Sequence, residues 1–164
     1  MSHKLRLRTV EQSDLSVFFE HQCDPEANRM AAFIHADPCN RTSFDAHWAR
    51  ILVDQEIWIR TIVIDQGIVV GNVASYVLDE RRQVCYWIGR DHWGCGYATE
   101  ALGLLLESIG TRPLYASAAY DNLASLRVLE KCGFRIVGSE VSLANGRGEE
   151  LKEVMLMLGC DLAG

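Results

Sequence analysis

The sequence predicts a single α/β domain, spanning residues 1–164, in which a mostly antiparallel sheet is flanked by helices. Three observations carry this. The chain has 164 residues, 49% of them hydrophobic and only three of them proline, which suffices for one core and not for two. Between Ile57 and Ile88, three runs rich in β-branched and aromatic residues (IWIRTIVI, IVVGNVASYVL, QVCYWIG) follow one another across the short polar turns DQG and DERR, as successive antiparallel strands do. On both sides of this block, apolar residues recur at helical spacing.

The elements follow in order. LRLRT (5–9) alternates apolar and basic residues, the pattern of a half-exposed strand, and Glu11 to Gln22 then carries Leu15, Phe18 and Phe19 at helical spacing. The stretch CDPEANRMAAFIHADPCNRTS contains two Asp-Pro steps; each pushes the residue before proline out of the helical region, so a loop or a broken helix is expected. Ser43 is expected to cap the next helix, with Phe44, Trp48, Ile51 and Leu52 on it. After the three strands, a helix starting near Gly96 aligns Ala98, Ala101, Leu102, Leu105, Leu106 and Ile109 on one face and stops at Gly110 and Pro113. LYASAAY reads as a strand, DNLASLRVLEKCG as a helix, FRIVGSEVSLA as a strand, and Asn145-Gly146 as a turn into a last strand, EELKEVMLML. The order is βααβββαβαββ, without repeats or linkers.

Composition narrows the partners. A formal charge of −6 argues against a broad nucleic-acid or membrane surface, which would reward clustered Lys and Arg. The opening MSHKLRLRTVEQSD has no apolar core of a signal peptide, and no apolar run approaches a membrane span, so a cytoplasmic protein is expected. Six cysteines (23, 39, 85, 95, 132, 160) form no CxxC pair; neither disulfides nor zinc are expected, and most are read as small buried thiols. His3, His21, His35 and His47 show no metal-ligand spacing, so no metal is expected.

The segment RDHWGCGYATEALGLLLESIG (90–110) places Gly94 and Gly96 directly before a strong helix. The first N–H groups of a helix lack intrahelical acceptors and carry partial positive charge, and glycines keep Cβ atoms away from an approaching ligand, so the segment suits phosphate oxygens. The alternative is that the glycines only make a tight strand-to-helix turn. A Walker loop is excluded by the missing Gly-Lys-Ser/Thr, and a dinucleotide fingerprint by Thr99 where a third glycine belongs.

QVCYWIGRDHWGCGYATEAL, followed after 18 further residues by DNLASLRVLEKCGFRIVG, resembles the GCN5-related N-acetyltransferases (GNATs), and within them the branch of ribosomal-protein N-terminal acetyltransferases. The resemblance is strong from Ile57 to Gly138 and loose elsewhere. It implies a mixed sheet with a splayed central strand pair and acetyl-CoA as acetyl donor. Tyr86, Trp87 and Ile88 would lie on the splayed strand and hold the pantetheine arm through backbone groups. Trp93, Gly94, Cys95, Gly96, Tyr97, Ala98 and Thr99 would surround the pyrophosphate, mostly with N–H groups. Asp91 stands where the family often has Gln or Arg, with Arg90 just before it. Asn122 matches an asparagine whose amide commonly contacts the cofactor; the residue type suits an N-cap equally. Ser125 lies one turn further along the same face.

Many family members carry a tyrosine before the Glu-Lys of the EKxGF segment as general acid; here that position is Leu129. Ser125 is the best-placed replacement, toward a leaving thiol whose pKa of about 8.5 demands only modest help. No base is evident: Asp79 and Glu80 lie in a turn, and Glu100 in a first helical turn. That favours an α-amino acceptor, with a pKa of about 7.7–8.0, over a lysine at about 10.4. A His92–Cys95 nucleophile is disfavoured because both residues fall where the family binds pyrophosphate, and Arg127 and Lys131, four apart, suit either phosphate or solvent. The acceptor is expected to enter over the loop from Cys23 to Asn40, which carries Met30 and Phe33, beside Tyr86 and the turn Leu78–Arg82.

The expected activity is thus direct acetyl transfer from acetyl-CoA to a primary amine, a protein N-terminus or a small molecule. Splayed-strand N–H groups would polarise the thioester carbonyl. The rivals are a non-catalytic acyl-CoA-binding sensor or scaffold and a nucleotide-binding protein. The expected partner is the amine-bearing acceptor, with no nucleic acid and no membrane; a homodimer is left open.

Overall fold

Alternating side chains let one sheet bury both faces, and seven strands do so here. The computed structural model describes residues 4–159. The elements are β1 (Leu5–Arg8), α1 (Asp14–Gln22), α2 (Pro25–Ala31), α3 (Arg41–Val53), β2 (Trp58–Ile64), β3 (Ile68–Leu78), β4 (Arg81–Ile88), α4 (Tyr97–Ser108), β5 (Leu114–Ala119), α5 (Leu123–Lys131), β6 (Arg135–Ala144) and β7 (Glu149–Leu158). The strand order is β1-β2-β3-β4-β5-β7-β6, with every neighbouring pair antiparallel except β4–β5. This is the mixed, mostly antiparallel sheet that the sequence predicts.

One face packs against α4 and α5. Ala101, Leu102 and Leu105 of α4 are fully buried against Ile62, Val73, Val84, Leu114 and Leu156 of the sheet; each leucine so buried stabilises by about 1.5–3 kcal/mol. The other face carries α1 and α3, through Leu15, Phe18, Phe44 and Trp48. Phe18 and Trp48 stack at 5.1 Å between centroids. A buried carboxylate anchors α1: Asp14 accepts from Arg8 at 2.8 and 2.9 Å, from the Glu11 N–H at 2.8 Å and from the Thr61 hydroxyl at 2.7 Å.

The structure corrects several expectations. α1 starts at Asp14, three residues later than expected. The Asp-Pro stretch contains a seven-residue helix, because a proline is preorganised for the first helical position and the extended backbone it imposes on Asp24 is that of an N-cap. Asn40, not Ser43, caps α3; its side chain accepts from the Ser43 N–H at 3.0 Å. The last hairpin turns over four residues, with Gly148 in the left-handed region, and not through a two-residue Asn-Gly turn.

The cysteine reading fails most clearly. Cys23 and Cys39 form a disulfide that joins the two ends of the α2 segment, a pairing between loop positions that residue spacing alone does not signal. Cys85 and Cys95 are exposed and Cys132 is half-buried. His3 and Cys160 lie outside the described residues. No helix among the described residues is long and apolar enough to cross a membrane.

Candidate active site

The site is a gap in the sheet. β4 pairs with β3 along its whole length, from Arg81 to Ile88, and β5 pairs with β7 throughout. Between β4 and β5, however, only Gln83 and Tyr115 are in register. From Val84 and Ala116 onward the two strands diverge, and main-chain groups of Cys85 to Ile88 on that side have no ladder partner. Gly71 of β3 permits the geometry: a Cβ there would collide with the Trp87 carbonyl, so β4 can lean over β3 only where the side chain is a hydrogen.

At the open end the chain enters the glycine loop. A 3₁₀ turn, Arg90–His92, follows β4, and the Trp93 indole N–H donates to the Ile88 carbonyl at 2.8 Å. Gly94 and Gly96 both have left-handed φ, 77° and 81°, and Gly96 is the N-cap of α4. The backbone therefore requires glycine at both positions. The space where each Cβ would stand is also free of other atoms within 4 Å. The two readings of this loop are therefore compatible: the turn needs the glycines, and it leaves the first N–H groups of α4 open to a ligand.

A cavity of about 430 Å3 runs from this loop into the β4–β5 gap. Tyr86, Trp87 and Ile88 form one wall, and Trp93, Gly94, Gly96, Tyr97, Ala98 and Thr99 form the end. Asn122 and Ser125 of α5 face them, and Ala27, Met30 and Ala31 of α2 close the side. Cys95 is the one residue of the expected loop that does not line the cavity; it is exposed, with its thiol 3.6 Å from the Trp93 carbonyl. Its neighbour His92 lies against Tyr97, with ring centroids 6.5 Å apart. Arg127 and Lys131 are exposed and border the cavity, which puts two positive charges at its edge.

Asn122 acts as an N-cap. Its side-chain oxygen accepts from the Ser125 N–H at 3.2 Å, and its amide nitrogen donates to the Met30 carbonyl at 3.2 Å, tying α5 to α2. Arg147 strengthens the same junction through a bidentate pair with Asp121 at 2.8 and 2.9 Å. Across the cavity the Tyr86 hydroxyl donates to Ser125 Oγ at 3.0 Å. Burial pushes the Tyr86 phenol up to about 12, against the opposing effect of this hydrogen bond, so Tyr86 stays a donor and Ser125 keeps its own proton to give. Tyr86 therefore stands on the α5 side of the sheet, lining the same cavity as Ala27, Met30 and Ala31 of the Cys23–Asn40 segment. Leu129 is buried in the core and supplies no acid. Asp79 and Glu80 form the exposed β3–β4 turn and Glu100 is exposed on α4, so none of the three reaches the gap.

Sequence reasoning placed Met30 and the Cys23–Asn40 segment at the acceptor entrance, but missed that the segment forms a helix whose Ala27 and Ala31 also wall the cavity. Among the described residues, no group of three or more His, Cys, Asp or Glu could hold a metal ion.

Comparison with known proteins agrees with this architecture. The family model of the acetyltransferase (GNAT) domain matches residues 4–135. The chain is similar to the uncharacterized N-acetyltransferase p20 of Bacillus licheniformis, 24% identical over 96% of this chain and 93% of that protein. In three dimensions it is similar to spermidine N-acetyltransferase from Vibrio cholerae in complex with CoA and spermine, with a TM-score of 0.78, 19% identity, and coverage of 93% of this chain and 95% of that one. It is also similar to Mycobacterium smegmatis RimJ in complex with CoA-disulfide, with a TM-score of 0.80, 19% identity, and coverage of 98% and 84%. A strand gap opening onto a glycine-bounded helix start, carried on this sheet order and matched by the family over most of its length, makes the chain a member of the GNAT acetyltransferase family.

Proposed function

We propose that this protein transfers the acetyl group of acetyl-CoA directly to a primary amine, with the coenzyme lying in the cavity between the glycine loop and the β4–β5 gap. The observation that carries this is the continuity of the two features. Open N–H groups at the start of α4, with Arg127 and Lys131 beside them, suit the pyrophosphate. The unpaired edge of β4 suits the pantetheine amides, and it aims the thioester into the gap beside Ser125.

The chemistry follows from that placement. N–H groups of the β4 edge polarise the thioester carbonyl and hold the charge that develops on its oxygen. The amine nitrogen bonds to the carbonyl carbon and gives up a proton on the solvent side, the carbon–sulfur bond breaks, and Ser125, reprotonated through Tyr86, protonates the departing sulfur. The acceptor is a primary amine of low pKa, such as the α-amino group of a protein N-terminus, as the resemblance to the ribosomal-protein branch suggests. A small cationic amine is the second reading, favoured by Glu140 and Glu153, which stand opposite each other on β6 and β7.

Calorimetry with CoA, followed by a thiol-release assay with peptides, polyamines and aminoglycosides, tests the proposal. Micromolar CoA binding with amine-dependent thiol release is expected. Binding without release to any amine would make the domain an acyl-CoA sensor, and tighter binding of ATP or NAD than of CoA would make it a nucleotide-binding protein.

A further inference from the structure

The proposed transfer needs a group that removes the amine's proton, and the register of the sheet points to one. Residues opposite one another in a ladder share a face. Tyr86 and Ile88 project to the α4–α5 side with Val73 and Val84, where Ser125 waits. Cys85, one residue before Tyr86, projects to the opposite side with Ala74 and Tyr76. Through the Gln83–Tyr115 pair, that face continues onto Ser117 of β5, then Glu153 of β7 and Glu140 of β6.

These residues share the sheet face opposite α5, at the level of the gap. Cys85 is solvent-accessible, and desolvation by the surrounding protein pushes its thiol up to about 11. Cys85 and Ser117 stand at the level where β4 and β5 separate, two residues past the last paired rung. Glu153 is half-buried opposite Ala119, two residues along β5 from Ser117, and Ser117 lies near enough to lower its pKa. The Tyr76 hydroxyl lies within electrostatic reach of both Cys85 and Glu153.

We propose that Glu153 is the proton acceptor for the incoming amine, positioned by Ser117 on the face of the sheet opposite Ser125. Amine and leaving thiol then exchange protons with groups on the two sides of the β4–β5 gap. This rests on the acetyl-transfer reading above. In the step itself an ammonium gives one proton to the Glu153 carboxylate, and the freed lone pair bonds to the thioester carbonyl carbon. As the carbon–sulfur bond breaks, Ser125 hands its proton to sulfur and is reprotonated from solvent through Tyr86, the second nitrogen proton passes to water, and Glu153 later returns its own proton to water.

The neighbours tune the group as such a role needs. Desolvation chiefly, and the Glu140 carboxylate directly opposite, raise the Glu153 pKa, while the Ser117 hydrogen bond lowers it. Among the described residues neither glutamate has an arginine or lysine partner. Tyr76 and Cys85 share that face and both stay neutral near pH 7, with pKa values pushed up to about 12 and about 11, while Tyr115 and Arg135 lie on the same face four residues further along, opposite Met157. Lys152 projects to the other face of β7.

The test is the pH dependence of kcat/KM with the amine of the panel that turns over fastest. Wild-type activity is expected to rise with pH and level off once Glu153 ionises. Glu153→Gln is expected to lose about 100-fold at pH 7, within the usual range for a general base. Its activity should then climb tenfold per pH unit up to the pKa of the amine, because only free amine can react. Glu140→Gln should move the wild-type limb to lower pH and Ser117→Ala to higher pH, opposite shifts that a merely structural role does not produce. CoA affinity should stay within twofold in all three. A Glu153→Gln enzyme with the wild-type rate and profile, or with a loss equal at every pH, overturns the proposal while leaving acetyl transfer intact. A wild-type protein that binds CoA and acetylates none of the amines overturns both.

Discussion

Removing the Ser125 hydroxyl tests the acid side of the reaction, and its cost can be worked out beforehand. A thiol of pKa about 8.5 leaving at pH 7 gains at most about 1.5 pH units, or about 2 kcal/mol, from being protonated as it departs. That sets a ceiling of about 30-fold on what an acid can contribute at this pH. The floor is the single hydrogen bond that the hydroxyl offers the sulfur, about 1 kcal/mol or about fivefold. Ser125→Ala should therefore lower single-turnover acetyl transfer by about 5- to 30-fold at pH 7 and by about fivefold or less at pH 9, where the thiolate needs no proton. Tyr86→Phe, which removes the 3.0 Å hydrogen bond to Ser125 but leaves its proton, should cost less. The alanine keeps the backbone N–H that Asn122 caps, so helix α5 and CoA affinity should be retained. The measurement is thiol release under saturating acetyl-CoA at both pH values. A loss above 1,000-fold, or one identical at pH 7 and pH 9, would refute the role of Ser125 as acid.

Other consequences concern the scaffold. Gly96→Ala places a Cβ on a backbone with φ 81°, costing about 1–2 kcal/mol, and should weaken CoA binding about tenfold by calorimetry, whereas Gly103→Ala inside α4, with open space at its Cβ, should leave affinity unchanged. Asp14→Ala orphans the Thr61 hydroxyl and the Arg8 guanidinium; because Arg8 is partly exposed, about 3 kcal/mol is expected, lowering Tm by about 6–12 °C. Burial alone would raise the Asp14 pKa, but Arg8, the Glu11 N–H and Thr61 more than offset it and hold the carboxyl below its ordinary value. Its contribution is therefore complete above the unfolded pKa of about 3.9 and fades as pH falls through the folded one, so the Tm gap between wild type and variant should narrow below pH 4. Cys39→Ser opens a loop with a sequence separation of 16 and should cost about 3 kcal/mol; reducing agent should lower the wild-type Tm by the same amount and leave the variant unmoved.

The order of elements, the glycine loop and the face of α4 were legible in the residues, because each depends on local rules: alternation, helical spacing, and the backbone freedom of Gly94 and Gly96. Asn122 was legible as a residue type suited to two roles: its cap of α5 is a local bond from the Ser125 N–H, whereas only tertiary structure brings the Met30 carbonyl to its amide and the cavity to its side. What the sequence could not determine was long-range. The loss of pairing after Gln83–Tyr115 depends on how two strands 32 residues apart diverge in space. The Cys23–Cys39 bridge depends on loop ends meeting around α2. Glu153 acquires its place only because three ladders align it with Ser117 and Cys85, on the side of the sheet that Ser125 does not share.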